Sequence, residues 1–153
     1  RGIAVRLLSH QDMDEICSLR YALESLAVRR ALQHAGPEHL DALAAVIEET
    51  RKVRSAGQLA LLDLKFHEAI VRAANHERLL ANWLQLRSQI RLLLVQRNLD
   101  DTGSVQGTVR SHVAMLEALR KRDEKRSLAL LDQHLHDHYT WFQETFPDAD
   151  QTV

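Results

Sequence analysis

Four residues of this chain have types and spacing suited to chemistry: Asp63, His67, His112 and His134. Asp63 and His67 stand four positions apart in the segment from Leu59 to Ile70, so they project from one helix face. Leu59, Leu62, Phe66 and Ile70 share that face, which therefore points toward an apolar interior. His112 and His134 sit among apolar neighbours on two later segments of helical periodicity. One carboxylate and three imidazoles converging inside a helical bundle form a ligand set for a divalent transition metal. A second arrangement uses the same residues. In it Asp63 pairs with one histidine, and the other two are hydrogen-bonded at the rim. Burying a carboxylate and several imidazoles is costly, and a metal offsets that cost with coordinate bonds and its own charge.

Other residues extend the pattern. His138 falls one turn beyond His134, placing it as a reserve ligand or as a partner that orients its neighbour. His136 points away from that face. Arg20 and Arg87 border apolar stretches and need anionic partners. Arg20 can pair with Glu24 one turn on, or either arginine can grip a ligand carboxylate beside the metal. The pair His67-Glu68 resembles the zinc-protease helix only at first sight, because the second histidine of that motif is replaced by Val71. The paired Glu-x-x-His motif of di-iron bundles is absent as well. No unassigned acid on these faces offers a general base, so no catalytic residue is assigned and the chain is not read as an enzyme.

Positioning four such ligands requires several helices, and the chain is composed to make them. Of its 153 residues, 45% are hydrophobic and 27% charged, with only 5 Gly and 2 Pro, which fits one all-α domain. The motif Ser9-His-Gln-Asp12 predicts a capping box opening a first helix, with Ile16, Leu19, Leu23, Leu26 and Ala27 as its inner stripe. Gly36-Pro37 ends that helix and starts a second, which Gly57 is expected to stop. A third helix is predicted from 58 to 74, with Asn75 in the left-handed conformation after it. The fourth runs from 77 to 98 with Leu80, Trp83, Leu84, Ile90 and Leu94 inward, and 100–107 reads as a loop. A fifth spans 108–122, and a sixth, capped by Asp123, continues to Phe146 with Leu131, His134, Leu135, His138 and Trp141 inward. Short connections predict that sequential helices are antiparallel neighbours.

Charge and cysteine content narrow the setting. A net charge of −1 and the lack of a basic, aromatic-interleaved stripe argue against direct contact with nucleic acid. The single Cys17 rules out an internal disulfide framework, so the cytoplasm is the expected setting. No apolar run reaches the length of a membrane span.

The order of these motifs resembles a known family. Arg1-Gly-Ile-Ala-Val5, Leu8-Ser9, Leu19-Arg20 and Leu23-Glu24 are similar to the start of the FadR-type C-terminal (FCD) domain of GntR-superfamily transcription regulators. Asp63-x-x-x-His67, preceded at the histidine by Phe66, resembles that domain's first metal motif. Residues 73–79 resemble its Ala-Ser-Gly-Asn-x-x-Leu turn, with Asn75 in place of the usual Gly and His76 in place of Asn. Ser111-His112 before Met115, and Asp123 before His134-Leu135, match its later metal segments. The resemblance covers nearly the whole chain.

It implies an antiparallel bundle of six to seven helices that binds a small carboxylate effector and forms a homodimer. It implies Asp63, His67, His112 and His134 as ligands of zinc, nickel or manganese, and Arg20 and Arg87 as effector-binding arginines. It further implies that residues 1–153 are one effector-binding and dimerisation domain. DNA would be contacted only through an N-terminal winged helix-turn-helix domain outside this chain. Two alternatives remain: a small helical-bundle hydrolase, and a dimerisation module with a purely structural metal.

Overall fold

The computed structural model describes residues 9–100 and 104–145, and its described secondary structure is helical. Six helices follow in order: α1 (His10–His34), α2 (Pro37–Thr50), α3 (Ala56–Ala73), α4 (Glu77–Asp100), α5 (Ser104–Arg120) and α6 (Glu124–Thr145). They form an all-α bundle, as the composition and periodicity require.

Local chemistry sets most of the boundaries. Ser9 Oγ accepts from the Asp12 backbone N–H at 3.1 Å while Asp12 Oδ2 accepts from the Ser9 N–H at 2.9 Å, which closes the expected capping box. Pro37 opens α2, where a missing N–H costs nothing. Asn75 is left-handed, with φ 48°. The ring of His76 then takes a role that its position in a turn did not suggest, since its Nδ1 accepts from the Leu79 N–H at 3.2 Å at the start of α4. Asp123 caps α6 through the Arg126 N–H at 3.0 Å.

Several expectations are corrected. Gly57 does not stop α2. That helix ends at Thr50, Val53 turns inward to only 7% exposure, and Ser55 caps α3, leaving Gly57 in its first turn. Residues 104–107, expected in a loop, form the start of α5, while 101–103 lie outside the described residues, as does Phe146. The inner stripe of α1 is rotated. Leu19 and Leu26 are 52% and 42% exposed, and Arg20 and Glu24 take the inward line with Ile16, Ala27, Val28 and Ala31. On α4, Leu84 likewise faces out.

α3 lies at the centre of the bundle, packed on α4, α2 and α1, while α5 packs on α6 and α2. The long α1 packs chiefly on α3, α6 and α4 rather than on its sequence neighbour α2. Its buried Arg20 and Glu24 need partners that α3 and α4 supply. Leu64, Phe66, Val71, Trp83, Ile90 and Leu131 are fully buried, each contributing roughly 1.5–3 kcal/mol of transfer free energy. None of the described helices is long and apolar enough to cross a membrane.

Candidate metal centre

The fold brings Asp63 and His67 of α3 together with His112 of α5 and His134 of α6. All four are buried, and one donor atom from each lies within 4.8 Å of the others. His112 Nε2 and His134 Nε2 are 3.2 and 3.4 Å from Asp63 Oδ1, and His67 Nε2 is 3.9 Å from Asp63 Oδ2. These are close approaches but not aligned hydrogen bonds. All three Nε2 atoms and Asp63 Oδ2 are buried without a hydrogen-bond partner.

Each ring has a further neighbour that constrains it. His112 stacks on Phe66, with centroids 3.8 Å apart and planes 7° from parallel. His134 Nδ1 is 3.0 Å from the Ser111 hydroxyl, which leaves Nε2 to face Asp63. His67 Nδ1 is 2.6 Å from Glu24 Oε2. Glu24, read from sequence only as a possible partner of Arg20, is a member of this site. Its Oε1 accepts from Arg20 Nε at 2.8 Å and from Trp83 Nε1 at 3.0 Å.

The electrostatics follow from burial and these contacts. Burial pushes the His67, His112 and His134 rings below the ordinary imidazole value, against the pull of Glu24 and Asp63. Burial would raise the Asp63 carboxyl, but the adjoining His112, His134 and His67 rings hold it well below the usual range. Glu24 is also held low, because Arg20 and His67 outweigh its desolvation. Two carboxylates and one guanidinium among neutral rings leave one excess negative charge in the interior. A divalent cation would more than offset it, leaving a net positive site suited to an anion, and the orphaned Nε2 and Oδ2 atoms are the donors it needs. The residues present therefore fit a metal.

Arg20, only 4% exposed, reaches Asp63 Oδ2 at 3.8 Å through Nη2, an atom with no hydrogen bond. His138 lies beside His134, with ring centroids 4.5 Å apart, and burial and His134 together lower its pKa well below the ordinary value. Both residues line a narrow, largely enclosed cavity between α1, α4 and α6. Arg87 is not brought to this site. Its side chain is 43% exposed and pairs at 3.0 Å with Glu68, which also holds Arg72. The α3 carboxylate draws that guanidinium outward and away from the cavity.

Comparison with known proteins identifies the family. Residues 15–137 match the family model described as the FCD domain. The chain is 31% identical over 144 residues to an uncharacterized HTH-type transcriptional regulator, YdhC, of Bacillus subtilis (strain 168), covering 90% of this chain and 61% of that protein. It is 25% identical over 143 residues to the gluconate operon transcriptional repressor of Bacillus licheniformis, covering 89% of this chain and 59% of the repressor. The chain thus spans about three fifths of the length of these relatives. Its fold is shared with a GntR-family transcriptional regulator from Pseudomonas syringae pv. tomato, with a TM-score of 0.78 at 20% identity over 93% of this chain and 60% of the other. The extent of the family match, together with the helical architecture, places this chain in the FCD domain family of GntR-type transcription regulators.

Proposed function

We propose that the chain is the effector-sensing part of a longer transcription regulator, in which a buried metal and a small organic acid together set the conformation. Asp63, His67, His112 and His134 hold a divalent transition metal. Three imidazoles and one carboxylate suit zinc, and nickel or manganese are also compatible with them. The observation that carries this reading is the set of orphaned donors beside a cavity into which the buried Arg20 extends. The metal supplies Lewis-acid attraction for a carboxylate. Arg20 Nη2 supplies a charge-assisted hydrogen bond to the same group, and His138 closes the adjoining wall.

A regulatory role for the whole protein is supported by its Bacillus relatives, one an HTH-type transcriptional regulator and the other an operon repressor. DNA would be bound by a separate domain of the regulator, and dimerisation would set the spacing of two such domains. The effector can shift the equilibrium only by its difference in affinity between the two conformations. α1, α3, α5 and α6 each contribute a residue to the site or its shell, so contraction around metal and acid would couple all four.

The test is elemental analysis of the purified chain, before and after chelation and zinc re-addition, followed by calorimetric titration with small carboxylates. About one metal per chain is expected, lost in His134→Ala together with carboxylate binding. Undiminished carboxylate binding by the metal-free chain would refute the metal-dependent mechanism.

A further inference from the structure

The cavity beside the metal cluster has a charge pattern that narrows what can fill it. Its body is apolar, built from Met13, Leu93, Leu94, Leu135 and Trp141. Two guanidinium groups interrupt this surface: Arg20 at the cluster, and Arg97 from the last turns of α4. No Asp or Glu among the described residues lines it. Cys17 contributes a thiol whose pKa burial raises, so it stays neutral there.

The two arginines differ in what they already hold. Arg20 spends Nε on Glu24 and keeps Nη2 without a hydrogen bond. Arg97 is half-buried, and no carboxylate of the described residues lies within ion-pair distance of it. The charge of Arg20 is already met by Glu24 and Asp63, whereas that of Arg97 has no such partner among the described residues. A monocarboxylate at the metal and Arg20 would leave Arg97 unanswered. A polyhydroxylated acid would answer the charge but leave its hydroxyls against leucine and tryptophan, which costs the hydrogen bonds they had in water.

We propose that the effector is a dicarboxylate with a hydrocarbon body. Its inner carboxylate meets Arg20 and the metal, its carbon chain lies along Leu93, Leu94 and Leu135, and its outer carboxylate pairs with Arg97. Arg97 is thereby the residue that selects diacids over monoacids. This inference rests on the sensing role proposed above and deepens it.

Matched acids separate the two ideas. The zinc-loaded chain is titrated calorimetrically with hexanoate and adipate, and with the shorter pair butyrate and succinate and the longer pair octanoate and suberate. In at least one pair the diacid binds about tenfold tighter or more, the worth of one charge-assisted hydrogen-bonded pair. Arg97→Gln removes that preference, while Arg97→Lys keeps part of it. Unchanged zinc stoichiometry and helical circular dichroism show that the variants are folded. Equal binding of both acids by the wild type, or a preference that survives Arg97→Gln, overturns the role of Arg97 while leaving carboxylate sensing intact. Failure of every acid to bind the zinc-loaded wild type overturns both.

Discussion

Glu24 Oε2 lies 2.6 Å from His67 Nδ1, the ring nitrogen opposite the Nε2 that approaches Asp63. A carboxylate behind a histidine fixes its tautomer and its ring plane and makes the outward nitrogen a better donor. Glu24 is itself fixed by Arg20 and Trp83. Arg20 therefore links the residues behind the four candidate ligands to the cavity in front of them.

The first prediction follows from this arrangement. Glu24→Gln keeps the shape of the side chain but removes the charge, so zinc affinity falls roughly ten- to hundredfold in a chelator competition assay. Arg20, deprived of its inner partner, also loses definition, and carboxylate affinity falls with it. Zinc affinity equal to that of the wild type in a folded Glu24→Gln protein would remove Glu24 from the site.

A second prediction concerns pH. Burial holds His67, His112, His134 and His138 below the ordinary imidazole value of 6.5 in the metal-free fold. The unfolded chain therefore takes up protons near that pH while the folded chain does not. With more protons on the unfolded state, stability rises with pH across this window and is fully present above it. The urea midpoint of the metal-free chain should thus fall steadily as pH drops below 6.5. The zinc-loaded chain should hold its midpoint until protons displace the metal. A metal-free midpoint that is flat or rises on acidification would mean that the carboxylates keep these rings charged in the fold.

The sequence conveyed the ligand set better than what surrounds it. Asp63 and His67 were readable because their four-residue spacing coincides with an apolar face, and His112 and His134 because apolar residues lie one turn away, Val109, Met115 and Leu116 for the first and Leu130 and Leu131 for the second. Glu24 was obscured because an arginine and a glutamate four apart are the ordinary signature of a solvated helix pair. Only the apolar residues on the same line, Ile16, Ala27, Val28 and Ala31, hint that the pair is inside. Leu19 and Leu26 misled in the opposite sense, since a second leucine line on α1 faces outward. Arg97 sits near a helix C-terminus, where basic residues are common for reasons of the helix dipole. Arg87 lies on the line of Trp83 and Ile90, and only the tertiary position of Glu68 draws it away.

A third prediction tests how the bundle holds its longest helix. Arg122 adopts a left-handed φ of 55° and aims its guanidinium at the end of α1, donating to the carbonyls of Ala31, Leu32 and Ala35 at 3.0, 2.7 and 2.6 Å. Those carbonyls lack helical partners or are near the helix end, and a cation there also suits the dipole. Arg122→Ala should lower stability by about 1 kcal/mol in chemical denaturation, with part of the interaction screened by solvent. Zinc affinity should be unchanged, because the substitution is remote from the donors. A combined loss of stability and metal affinity would mean that the α5–α6 turn sets the position of His112 or His134.

The outward leucines carry the last prediction. Leu19 and Leu26 of α1 and Leu84 and Leu92 of α4 are each between 38% and 52% exposed, and the two helices pack on each other. Exposed leucines on adjoining helices are poorly matched to water, and a second copy of the chain would bury them with a symmetric partner surface. The wild-type chain should therefore sediment as a dimer, and the double variant Leu19→Glu, Leu26→Glu should sediment as a monomer with its metal content intact. Charges introduced opposite their own symmetry mates both repel and lose hydration, so two substitutions suffice if the face is isologous. A wild type that stays monomeric at all concentrations, or a double variant that stays dimeric, would exclude this face. The variant also separates the two roles proposed for the domain. If the monomer still binds zinc and carboxylate with native affinity, sensing is a property of one bundle and the dimer serves only to transmit it.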